Sequence, residues 1–80
     1  MTNITVAVAQ ARAEIVRLRN LAAWQRGEYA GSHRRQALHP IYAGQDAVCE
    51  GKAAQAERLA AANDAAANII EARIAAGEIV

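Results

Sequence analysis

The stretch Asp46–Gly77, DAVCEGKAAQAERLAAANDAAANIIEARIAAG, decides the fold of this chain. Its acids fall on one spacing: Glu50, Glu57, Asp64 and Glu71, with Glu78 just beyond, each seven residues after the last. Seven residues are nearly two turns of α-helix, so these side chains form a stripe along one side of a helix. Ala53, Ala60, Ala67 and Ile74 keep the same period, and Ala56, Asn63 and Ile70 fill the adjoining seam. Small residues at that period let a second helix axis come close. Asp46 is a good N-cap, Glu50 favours the positive end of the helix dipole, and Gly77 is a natural stop. The spacing predicts a helix over about 47–76.

Working outward, Ile4, Val8, Ala11, Ile15, Leu18 and Ala22 step by four and three, the spacing of one helical face. They predict a helix over about 5–26, capped by Thr2, Asn3 or Thr5 and ended by Gly27. Arg12, Arg19 and Arg26 form a basic stripe on it, again seven apart. With the apolar residues at heptad positions a and d, both charged stripes fall at e. In an antiparallel pair e faces e, and opposite charges there favour that orientation. The expected fold is therefore all-α: an antiparallel hairpin of two long, Ala-rich, coiled-coil-like helices, with Arg19 opposite Glu57 or Asp64. Leu59, Ala66 and Ile69 offer a rival seam on the second helix.

Between the helices lies a long connection, Gly27 to Gln45, and long connections usually carry function or structure of their own. Ser32 suits the cap of a short third helix over about 32–38, ending before Pro40. Leu38, Ile41 and Val48 are spaced to fold this piece back over the end of the hairpin.

Eighty residues make one domain with a small core, here residues 1–80. Twenty-two of them are Ala, there is no Phe, and Trp24, Tyr29 and Tyr42 are the aromatics. Such a core stabilises a monomer weakly, so a monomer or a weak homodimer is expected. The single Cys49 excludes an internal disulfide framework and fits a reducing cytoplasm. The first residues lack the basic lead and apolar run of a secretory signal, and no stretch is apolar enough for a membrane helix. A cytoplasmic location is expected, the host cytosol if the chain is phage-encoded. Net charge is +1, yet residues 1–40 set six Arg against two Glu, while residues 41–80 set six acids against Lys52, Arg58 and Arg73. Such asymmetry serves either an acidic partner or internal pairing.

Trp24, Arg26, Tyr29, His33, Arg34, Arg35, His39 and Tyr42 crowd into one quarter of the chain. Trp, Tyr and Arg are the types enriched at binding hot spots, and guanidinium groups suit carboxylates. These residues are the expected partner-binding surface, with Arg34 and Arg35 as charge anchors; the competing reading has the aromatics closing a poor core. The acidic face of Glu50, Glu57, Asp64 and Glu71 is the alternative surface. The partner expected is a protein with an acidic surface, since the net charge is low for a nucleic-acid binder. His33, His39 and Cys49 lack zinc-site spacing, so no metal or other cofactor is expected. No phosphate loop or nucleophile motif occurs, which points away from an enzyme.

In length, charge layout and lack of catalytic motif, the whole chain resembles small phage-encoded inhibitors, anti-CRISPR proteins in particular. That resemblance implies direct binding to a CRISPR effector (surveillance) complex, blocking target-DNA binding or nuclease recruitment. It carries over no site residues. Two alternatives stand beside it: a structural or assembly subunit of a phage particle, and a small nucleic-acid-binding regulator using Arg34 and Arg35.

Overall fold

The computed structural model describes residues 5–80, and helix accounts for 86% of them, with no strand among them. The caps proposed at Thr2 and Asn3, and Ile4 of the first seam, lie outside the described residues. Thr5 caps α1 (Val6–Trp24), its hydroxyl accepting from the Val8 N–H at 3.2 Å.

The first helix does not end at Gly27. It runs from α1 through a π-helical turn, Gln25–Tyr29, into α2, Ala30–Ala37, with αR backbone at every junction. Gly27 has no positive φ, unlike Gly44 and Gly77, so it acts as a helical residue rather than a stop. One glycine inside a helix costs only about 1 kcal/mol, which the flanking turns absorb. Ser32 consequently lies inside a helix and caps nothing. The separate third helix expected over 32–38 is absent, and the connection proper holds only a 3₁₀ turn, Pro40–Tyr42. Leu38 and Ile41 do not fold back: they are 86% and 74% exposed, and Val48 is exposed as well.

The second rod is α3, Asp46–Ala75. It opens one residue before the expected start, with Gln45 at the cap position and Asp46 inside the first turn, where a carboxylate still meets the positive helix end. At the other end Gly77 takes φ +76, the Glu78 N–H reaches the Arg73 carbonyl at 2.9 Å, and the Gly77 N–H reaches that of Ile74 at 3.1 Å. That pair of bonds is a Schellman motif, the helix end the glycine predicts.

The rods meet along an alanine seam. Ile15, Leu18, Ala22 and Ala30 are buried on the first; Cys49, Ala53, Ala56, Ala60 and Ala67 on the second. Leu59 and Ile69, of the rival seam, are exposed. Ion pairs link the rods in opposite chain order: Arg19 to Glu71, Arg26 to Asp64, and Arg34 to both Glu57 and Glu50. Arg19 was expected opposite Glu57 or Asp64. The difference follows from the first rod reaching Ala37, which moves the point of chain reversal towards the C-terminus and slides the facing residues with it.

The π turn explains the phase of that seam. On α3 the buried alanines stay seven apart, from Ala53 to Ala60 to Ala67. On the first rod Ile15 and Ala22 are seven apart, but Ala22 and Ala30 are eight. The paired arginines repeat the break: Arg19 and Arg26 are seven apart, Arg26 and Arg34 eight. A π turn takes one residue more than an α turn. Without it, Tyr29 would occupy the seam in place of Ala30, and Arg34 would turn away from the acids. The molecule that results is a ribbon of 59 × 18 × 12 Å.

Candidate functional site

The two sides that both rods build together, called here the edges of the ribbon, differ in chemistry. One is the charged edge. There Arg26 Nη2 donates to Asp64 Oδ2 at 2.9 Å, and Arg19 Nη2 lies 2.9 Å from Glu71 Oε1 while also donating to Asn68 Oδ1 at 3.1 Å. Arg34 Nη2 donates to Glu50 Oε1 at 2.9 Å and to Glu57. These contacts, with Glu50 first and Glu57 next, hold the Arg34 guanidinium protonated beyond its ordinary range. In return the bond from Arg34 lowers the Glu50 pKa from its ordinary 4.5. Arg26 and Arg34, read as partner-binding residues, are thus joined to Asp64, Glu57 and Glu50 of the alternative acidic face, whose Glu71 pairs with Arg19. Arg12, the first of the basic stripe, has no ion pair among the described residues.

The other edge is aromatic. Trp24 and Arg26 differ by two helical positions, about 200° around the axis, so Trp24 stands away from the ion pairs. Its ring lies 5.4 Å from that of Tyr29, and Tyr29 lies 4.6 Å from the His33 ring in an edge-to-face contact. Both distances fall in the range of favourable aromatic pairs. The His33 Nδ1 is 3.2 Å from Gln36 Oε1, which fixes the last ring of the ladder. Trp24 and Tyr29 face Lys52, Gln55 and Leu59 of α3 across a groove of about 230 Å³. Below it, Asn63 Nδ2 donates to Gln25 Oε1 at 2.9 Å, a polar contact between the rods at the start of the π turn. A polar pair in an apolar seam fixes register.

Of the expected partner-binding residues, Trp24, Tyr29 and His33 come together in one ladder. Arg35 is exposed without an ion pair among the described residues. His39 sits in the connection, its Nδ1 accepting from the Ile41 N–H at 3.3 Å and its ring 6.2 Å from Tyr42. Leu59 and Lys52 line the groove beside Trp24 and Tyr29 and are not among the expected partner-binding residues. Their signal was present: both precede a seam alanine, Ala60 and Ala53, by one position, which places them on the flank.

Among the described residues no three His, Cys, Asp or Glu side chains gather as a metal site would require, and no helix is long and apolar enough to cross a membrane. Fold and edges together define an all-helical protein of two rods with one charge-paired edge and one aromatic edge. No protein family, curated protein or solved structure matches this chain.

Proposed function

We propose that this chain is a non-enzymatic protein-binding module, built as an antiparallel helical hairpin with a coiled-coil-like alanine seam. It docks through the edge formed by Trp24, Tyr29, His33, Lys52 and Leu59. The observation that carries this reading is the half-exposed aromatic ladder beside a groove that mixes apolar Leu59 with Lys52 and Gln55. Burial of such rings supplies the largest contributions at protein interfaces. Lys52 at the groove suits a partner that sets a carboxylate beside an apolar patch. The opposite order of the ion pairs and the unbroken alanine series of α3 support the hairpin framework. Within this class, the favoured target is a CRISPR effector complex whose DNA-binding or nuclease-recruiting surface the chain covers.

The test is the plating of a targeted phage on a CRISPR-immune host expressing the chain. Expression should raise plating efficiency by several orders of magnitude, and Trp24→Ala with Leu59→Glu should abolish that rise while far-ultraviolet circular dichroism stays helical. Unchanged immunity across the effector types tried rejects the inhibitor reading. The exposed aromatic edge favours the assembly-subunit alternative next, because particle subunits cover such edges with their neighbours.

A further inference from the structure

An 80-residue chain this thin leaves an unusual amount of itself in water. Its accessible surface is 5585 Å² for a mass of 8.5 kDa. Folded monomers of that mass expose about 4,650 Å². The excess, about 900 Å², is close to the roughly 800 Å² that each partner contributes to a standard interface. The seam does not compensate, since Ile15 and Leu18 are the large aliphatic side chains it buries and the other buried residues are alanines and Cys49. A second layer is what such a pair of helices lacks.

The two edges decide where that layer can sit. Covering the charged edge would strip water from Arg19, Arg26, Arg34 and their carboxylates, a large penalty for groups already paired. The aromatic edge has no ion pair between the rods among the described residues. It presents Trp24 at 51%, Leu59 at 50% and Ile69 at 62% exposure, with Ala62 and Ala66 between Leu59 and Ile69 on the same flank of α3. Lys52 lines its groove, and Glu28 precedes Tyr29 in the π turn. Neither is ion-paired among the described residues, and they carry opposite charge. The groove is lined by a single charged residue, Lys52, so a second copy turned about a two-fold axis brings no cluster of like charge against it.

We propose that this edge docks a second copy of the same chain, forming a two-fold dimer with Trp24, Tyr29, Leu59 and Ile69 at its centre. The proposal rests on the reading of this edge as a protein-binding surface and names the protein seated there. Two ribbons joined this way make a four-helix bundle whose outer edges are the ion-paired ones.

Sedimentation equilibrium on the full chain, from about 10 to about 500 µM, tests it. The expected mass at the upper end is twice 8.5 kDa, dissociating on dilution, with a blue shift of Trp24 emission as the dimer forms. Leu59→Glu should raise the dissociation constant about thirtyfold or more while helicity holds. Val16→Ser, at an exposed residue beside Arg12 and Glu71, should leave it unchanged. Should Leu59→Glu lose helicity, Ile69→Glu at its more exposed position carries the same test. A single-chain mass at every concentration overturns the dimer, as does a Leu59→Glu chain that associates as tightly as the parent. A single-chain mass combined with phage plating that still depends on Trp24 and Leu59 would leave the protein-binding reading standing with a different occupant.

Discussion

The two rods are nearly equal in length and differ in rhythm. α3 holds one heptad phase from Cys49 to Ala75, whereas the first rod changes phase once, at Gln25–Tyr29. Yet both present an alanine seam and an unbroken line of charge to each other. The comparison teaches that the seam, not the sequence period, is what the fold maintains. Where the first rod carries one residue too many, the backbone widens into a π turn rather than letting Tyr29 enter the seam. Such turns are often found at functional sites, and here the aromatic ladder begins and crosses at this one.

The sharpest way to break the comparison is to give α3 the phase error that the first rod tolerates. Deleting Ala61 would rotate everything beyond Ala60 by about 100° relative to the seam, taking Ala67 out of contact with Ile15 and Leu18. With no π turn to absorb the change, cooperative thermal unfolding should be lost, as seen by circular dichroism at 222 nm. A sharp transition close to that of the parent would show that α3 can re-phase as the first rod does.

Removing the extra residue from the first rod should do the reverse. Deleting Gly27 sets Ala22 and the former Ala30 seven apart, and likewise Arg26 and the former Arg34. The rod can then continue as regular α-helix with every seam contact retained. Loss of a helical glycine is worth about 1 kcal/mol, so the melting temperature should rise by a few degrees. Unfolding of the shortened chain would show that the π turn is needed for the fold and not only tolerated by it.

The smallest effects concern the charged edge. A double-mutant cycle between Arg26→Ala and Asp64→Ala should return a coupling of about 0–1 kcal/mol, since both side chains remain partly solvated. A coupling of zero would mean that seam packing alone sets the register. The pH dependence has a definite sign. Arg34 lowers the Glu50 pKa in the folded state, so this carboxylate's contribution is complete above its ordinary 4.5 and is lost as pH falls past that value. Acid titration of stability should show this loss for the parent and a smaller one for Glu50→Gln.

Much of the architecture was legible in the sequence because helical faces announce themselves. The period of α3 and its glycine stop located both ends to within a residue, and Thr5 was among the expected caps. The first rod's true end was not legible by the same means. Gly27 carries the usual mark of a helix terminator, while Gly31, Ser32, His33, Arg34 and Arg35 show no apolar stripe to indicate that the helix continues. The eight-residue steps from Ala22 to Ala30 and from Arg26 to Arg34 were there, but they gain meaning only once a partner seam is in view. Of the residues singled out by type, Trp24, Tyr29 and His33 lie together in one ladder. Residue type alone does not reveal that Arg26 and Arg34 spend their charge on the acids of α3, because that depends on where the chain reverses.

The ion pairs close loops of increasing span, with Arg34 and Glu50 separated by 16 positions, Arg34 and Glu57 by 23, and Arg26 and Asp64 by 38. Closing the shortest loop carries most of the entropic penalty, and each doubling of span adds only about 0.6 kcal/mol. By loop entropy alone, the contacts nearest the connection are the least costly to close. The π turn and the Gln25–Asn63 pair lie midway along the rods, where the seam shifts phase by one residue.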